Sequence, residues 1–187
     1  ISGVFHAKDF DDNPYSYGVD TTDSFVKASV TGWGSGEPDS FMAFEVKRLD
    51  SHSSMYGNAG QRCLANANLV IVGEGLNDQE YDAFYKKVTN AFVESTAKIR
   101  VGYGLDESVQ MGPVRDKGKK QRISNYIAQG VEGGAKLILD GRNVKLVGDW
   151  PHDAFLNPTV FEDVAPDMAI GKEEIFGPVA SIIKARS

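Results

Sequence analysis

Cysteine is nearly absent: Cys63 is the only one in 187 residues. That excludes an intrachain disulfide framework and suits a reducing compartment. Histidine is scarce, at three residues. His6 and His52 have no metal-ligand spacing with each other or with Cys63, so no metal site is expected. Positive charge is in deficit, with 20 Lys and Arg against 26 Asp and Glu, a net charge of −6 and a pI of about 5.1. No basic patch emerges, which disfavours a nucleic-acid partner. The densest basic cluster, Lys117-Gly118-Lys119-Lys120-Gln121-Arg122, reads as the solvated face of a helix start. No apolar run approaches the length that spans a bilayer, so no membrane partner is expected. The opening residues, Ile1-Ser2-Gly3-Val4-Phe5, resemble neither a signal peptide nor a transit segment, and secretion is not expected.

What is present suffices for a packed core: 41% of residues are hydrophobic and 10% aromatic. The length fits one domain, with or without an appendage. Residues 1–55 differ from the rest, being rich in Asp, Ser, Gly, Tyr and Phe. Partial alternation at Ser24–Val30 and Phe41–Val46 predicts two short strands. Thr31–Pro38 between them reads as a long hairpin connection. Its glycines are not a phosphate loop, since no Lys-Ser or Lys-Thr follows. This segment is left unassigned, with a β-rich character expected.

From residue 56 the pattern is α/β. Leu69-Val70-Ile71-Val72 reads as a strand buried on both faces. Asn77 with Glu80 three residues on predicts a capped helix start. Tyr81, Phe84, Tyr85, Val88 and Phe92 follow at helical spacing and predict a face packed on a sheet. Ile99-Arg100-Val101 is a candidate strand. Asp116 is a candidate cap for a second helix burying Ile123, Tyr126, Ile127 and Val131, ended by Gly133-Gly134. Lys136–Leu139 reads as a strand, and so does Pro178–Ile183. Ala154–Phe161 reads as extended, with Pro158 pointing to an edge or irregular strand. Strands alternating with helices argue an α/β fold: a largely parallel sheet flanked by helices.

The stretch that draws the chemistry is Gly60-Gln61-Arg62-Cys63. It sits between small residues, Tyr56-Gly57-Asn58-Ala59, and the apolar run. A thiol at a glycine-permitted bend, with a guanidinium next to it, has what a thiolate needs near neutral pH. A lone cysteine is more often a small buried hydrophobe, so the stretch alone does not decide. Asn58 and Gln61 read as loop-shaping residues whose amides satisfy backbone groups. His152 has no partner that would make it a base and reads as a surface loop residue.

Gly60-Gln61-Arg62-Cys63 resembles the nucleophile motif of the aldehyde dehydrogenase superfamily. Lys172-Glu173-Glu174-Ile175-Phe176-Gly177-Pro178-Val179 is similar to that family's other hallmark. Met111-Gly112-Pro113 and Phe155-Leu156-Asn157-Pro158-Thr159 fall between them in the family's order. Arg62, Val72-Gly73-Glu74 and Asp140-Gly141-Arg142-Asn143 look most like the NAD-dependent, CoA-acylating methylmalonate-semialdehyde branch. The resemblance covers residues 56–187, which would form a partial catalytic domain.

The resemblance implies roles. Cys63 would attack the aldehyde carbonyl and carry a thioester that the thiol of coenzyme A, as co-substrate, resolves. Its backbone N–H would face the oxyanion. Arg62 would clamp the carboxylate of malonate or methylmalonate semialdehyde, a carboxylate later lost as carbon dioxide. A structural ion pair is the competing reading of Arg62. Glu174 would accept hydrogen bonds from the nicotinamide ribose of NAD, with Phe176 beside it. Without the motif, Glu174 is a solvated loop acid and Phe176 simply core. The resemblance also implies a homo-oligomer in the mitochondrial matrix or bacterial cytoplasm, and a cofactor-binding domain that the chain itself does not supply. The chain alone is then expected to be inactive. The alternative is a non-catalytic fragment or interaction module, or a β-rich binding segment at 1–55 with the remainder a passenger.

Overall fold

The computed structural model describes residues 2–6, 54–63 and 65–186. The strands expected at Ser24–Val30 and Phe41–Val46, their connection, and His52 lie outside the described residues. In chain order the elements are β1 (Ser2–His6), β2 (Asn68–Val72), α1 (Asp78–Thr96), β3 (Val101–Gly102), α2 (Lys117–Glu132), β4 (Lys136–Leu139), β5 (Leu146–Val147), β6 (Thr159–Glu162), α3 (Ala169–Lys172) and β7 (Val179–Ala185). Single 3₁₀ turns occupy Gly57–Gly60 and His152–Ala154.

Among the described residues, five strands form the main sheet in the order β1-β2-β7-β6-β4. The first three pairings are parallel and only β4 runs against its neighbour β6. The expected fold, a mostly parallel sheet flanked by helices, is the one found. β3 and β5 make a separate two-stranded parallel ribbon. The middle strand, β7, is covered on both sides, with Val179, Ala180, Ser181, Ile182 and Ile183 all buried, and its neighbour β6 likewise buries Thr159, Val160 and Phe161. β2 buries Leu69, Ile71 and Val72 and leaves Val70 half-buried.

Both long helices start where the sequence predicts. Asn77 and Glu80 make a reciprocal capping box, with each side chain accepting from the other's backbone N–H at 3.0 Å. Asp116 accepts from the Lys119 N–H at 2.8 Å. Its carboxyl lies below the ordinary range because of the bond from Arg115 first, then that backbone bond. Along α1, Tyr81, Phe84, Tyr85, Val88 and Phe92 are buried, and the Tyr81 hydroxyl donates to the Ile71 carbonyl of β2 at 2.8 Å.

Four expectations need correction. α2 buries Ile123, Ile127 and Gly130, whereas Val131 is 47% exposed. Gly130 faces the sheet because a side chain there would run into Phe161 and Ile170, so the buried stripe is rotated from the one inferred. β6 lies between β7 and β4 and is not an edge. Pro158 precedes β6, so its missing N–H costs the ladder nothing. Ala154 belongs to a 3₁₀ turn, and the strand begins at Thr159. The strand read at Ile99–Val101 is Val101–Gly102, continued by a bridge from Val101 to Met111.

Candidate functional site

Cys63 and Glu174 are far apart in sequence, and parallel pairing brings their loops together. The cysteine loop leads into the start of β2, and the Glu174 loop leads into the start of β7. β2 and β7 run side by side in the same direction, with Asn68 opposite Ser181. The Ser181 N–H donates to the Ala67 carbonyl at 2.9 Å, extending that register toward the loops. Both loops therefore emerge at the same end of the sheet.

Glycine lets them touch. Gly60 has φ of +69°, and a Cβ there would stand 2.2 Å from the Gly177 carbonyl oxygen and 3.0 Å from that of Met55. Gly177 in turn lies against Ile123 of α2, where a Cβ would meet the Ile123 side chain at 2.5 Å. Cysteine loop, Glu174 loop and α2 are thus stacked with no room for a methyl group between them.

The bend ahead of the thiol is held by side chains. Asn58 and Ala59 have φ of 54° and 53°, in the left-handed region that L-residues avoid. Asn58 donates through Nδ2 to the Gln61 carbonyl at 3.2 Å. Gln61 donates through Nε2 to the Asn58 carbonyl at 3.0 Å, and its Oε1 accepts from the Arg115 N–H at 2.9 Å. Both residues shape the loop as inferred, and Gln61 also ties it to the approach to α2. Below the loop Tyr56 is buried, its ring stacked 6.4 Å from Phe92 and its hydroxyl donating to the Thr159 carbonyl at 3.3 Å. Burial pushes this phenol far above its ordinary pKa.

Cys63 is exposed. Its thiol is not the buried hydrophobe that a lone cysteine usually is. It lines a cavity of about 230 Å³ with Arg62, Glu174 and Phe176, so the four residues singled out in the sequence surround one cleft. The Arg62 guanidinium folds over Gly57, where a Cβ would stand 3.0 Å from Cζ and both terminal nitrogens. Glu174 is exposed and Phe176 half-buried, and Ile175 between them is the residue committed to the core, at 3% exposure. The core reading of Phe176 is thus set aside. The donor set suits a ribose: an open carboxylate accepts from paired hydroxyls, and an accessible ring gives an apolar wall.

Sequence reasoning missed what holds Glu174. Arg122 of α2 donates from Nη1 to the Ile175 carbonyl at 2.6 Å and from Nη2 to the Glu174 carbonyl at 3.2 Å. Its guanidinium lies 4.9 Å from the ring centroid of Tyr126, whose hydroxyl donates to Glu173 at 2.6 Å. Lys119 Nζ stands 6.0 Å from the Phe176 ring centroid, and Lys120 donates to the His152 carbonyl at 2.7 Å. The basic cluster does open a helix, but its solvated-face reading fails for these residues. Phe176 has φ of 56°. A left-handed non-glycine residue costs about 1–2 kcal/mol. The two Arg122 hydrogen bonds, to the carbonyls just before Phe176, hold the loop in which this strain sits.

Two further motifs are bonded within themselves and to each other. Gly141 donates to Thr159 Oγ1 at 3.0 Å and accepts from the Asn157 N–H at 2.8 Å. Arg142 grips both Asp140 oxygens, at 2.7–3.1 Å, and draws that carboxyl below its ordinary range. His152 is exposed, as expected.

Residues 50–187 match the model of the aldehyde dehydrogenase family. Malonate-semialdehyde dehydrogenase of Lacticaseibacillus casei is 43% identical over 135 residues, covering 72% of this chain and 25% of that protein. Its counterpart 1 from Geobacillus kaustophilus is 40% identical, over 71% of this chain and 25% of its own length. The chain spans about a quarter of the length of these curated relatives. Among solved structures, methylmalonate-semialdehyde dehydrogenase from Oceanimonas doudoroffii superposes with a TM-score of 0.68 at 27% identity, over 78% of this chain and 28% of that one. An aldehyde dehydrogenase from Bacillus cereus in its NAD⁺ complex gives 0.62 at 30% identity, over 76% and 26%.

Proposed function

The chain belongs to the aldehyde dehydrogenase family, and from that premise we propose that residues 56–187 are the cysteine-bearing part of an NAD-dependent, CoA-acylating semialdehyde dehydrogenase. The observation that carries this is the shared cleft of Cys63, Arg62, Glu174 and Phe176. Residues 1–55 stay a segment of unassigned role.

The thiolate of Cys63 attacks the aldehyde carbon, and the carbonyl electrons move onto oxygen. The Cys63 backbone N–H is the donor the loop offers to that oxyanion. NAD, when bound against Glu174 and Phe176, supplies the acceptor for the hydride the carbon gives up. A thioester is left on Cys63, and the CoA thiol displaces it, returning the cysteine. Arg62, at the mouth of the same cleft, pairs with the carboxylate of malonate or methylmalonate semialdehyde. The dinucleotide-binding domain joins this segment from the larger subunit, whose expected assembly is a homo-oligomer.

The test is NAD reduction with malonate semialdehyde and CoA, first with this chain alone and then joined to a dinucleotide-binding domain of the family. Turnover is expected only from the joined protein. No turnover from either, with thiol labelling equal to a denatured control, supports the non-catalytic module instead. Arg62→Gln is expected to lower kcat/KM for malonate semialdehyde by about ten- to a hundredfold, the effect of losing a charge-assisted bidentate pair. It should leave acetaldehyde, which has no carboxylate, nearly unchanged. Equal losses on both substrates would return Arg62 to a structural ion pair.

A further inference from the structure

We propose that Arg122 is a positioning residue: it sets how Glu174 and Phe176 face the thiol, without touching substrate or cofactor itself. The functional part of this inference rests on the proposed dehydrogenase reading, and the structural part does not.

Arg122 and Ile123 are consecutive on α2 and meet the Glu174 loop in two ways. Arg122 binds the Glu174 and Ile175 carbonyls, and Ile123 fills the space under Gly177. Between those holds sits Phe176 in its left-handed conformation. A backbone in a sparsely populated region persists only where its surroundings over-determine it. Remove the guanidinium, and Phe176 can relax to negative φ. Its peptide planes then turn, and the ring and the Glu174 carboxylate move with them. The cysteine loop is tied to the same region of the molecule independently, through Gln61 and the Arg115 N–H. Arg122 therefore acts first on the Glu174 side of the cleft, while the cysteine loop keeps its own tie through Gln61. Tyr126 and Glu173 keep the guanidinium aimed, by stacking and by the hydroxyl–carboxylate bond beside it.

Arg122→Met keeps the stem and removes the donors. Amide hydrogen exchange of the full chain is the first readout. Exchange at residues 175–177 is expected to rise about tenfold or more, the factor that follows when a charge-assisted hydrogen bond is lost. Exchange in β2 and β7 should hold. With Arg122→Ala, added methylguanidinium should slow the loop again. Unchanged exchange at 175–177 overturns the proposal, and so does a rise spread over the whole chain without chemical rescue. The second readout uses the segment joined to a dinucleotide-binding domain. Arg122→Met should raise the KM for NAD about tenfold and change kcat at saturating NAD far less. A fall in kcat with KM unchanged overturns the positioning role. If the unsubstituted joined protein reduces no NAD, the dehydrogenase reading fails, and the exchange experiment still decides what Arg122 does.

Discussion

Gly60→Ala is expected to destabilise the chain by about 2–5 kcal/mol and to blunt the reactivity of Cys63. Two costs add. Alanine must hold φ of +69°, at about 1–2 kcal/mol. Its methyl must also displace the Gly177 carbonyl, and overpacking of this kind costs about 1–3 kcal/mol. The atom in the way is backbone, tied through Gly177 to Ile123, so it cannot swing aside. Urea unfolding measures the first effect and the rate of alkylation by iodoacetamide the second. Gly57→Ala is the control. Its methyl meets only the far end of the Arg62 side chain, so the unfolding midpoint should hardly shift. A Gly60→Ala chain within about 0.5 kcal/mol of the parent would show that the two loops are not in contact in solution.

Cys63→Ser carries the other large effect, and it falls on chemistry alone. In the joined protein, NAD reduction is expected to drop about a thousandfold or more, because a serine hydroxyl without a base beside it is a poor nucleophile. Stability should stay within about 0.5 kcal/mol, since the side chain is exposed. A serine variant that retains a tenth of the activity or more would remove the thioester from the mechanism.

The parts of the fold set by neighbouring residues were legible in the sequence. Asn77 with Glu80 and Asp116 with Lys119 are local capping pairs, and the helices begin where they place them. Lys136–Leu139 was read with its observed limits. The errors came where distant chain decides. Pro158 looked like an edge marker because the sequence does not reveal that β6 inserts between β7 and β4. Val131 fits the helical spacing, but Gly130 is the residue pressed on Phe161, and only packing shows it. The cleft shows the same division. Cys63, Arg62, Glu174 and Phe176 stand out because they lie in recognisable motifs, and they line one cleft. Arg122 does not stand out, because its partners are main-chain carbonyls some fifty residues away. A carbonyl leaves no mark in a sequence, and the neighbouring lysines disguised the arginine as one more solvated charge.

The meeting of the two loops at one end of β2 and β7 also limits how the chain tolerates changes in length. The stretch between Ala65 and Asn68, and the equally short one between Phe176 and Val179, are direct leads into adjoining strands. An extra residue in either has nowhere to be absorbed except as about 3.3 Å of slack at a reactive group.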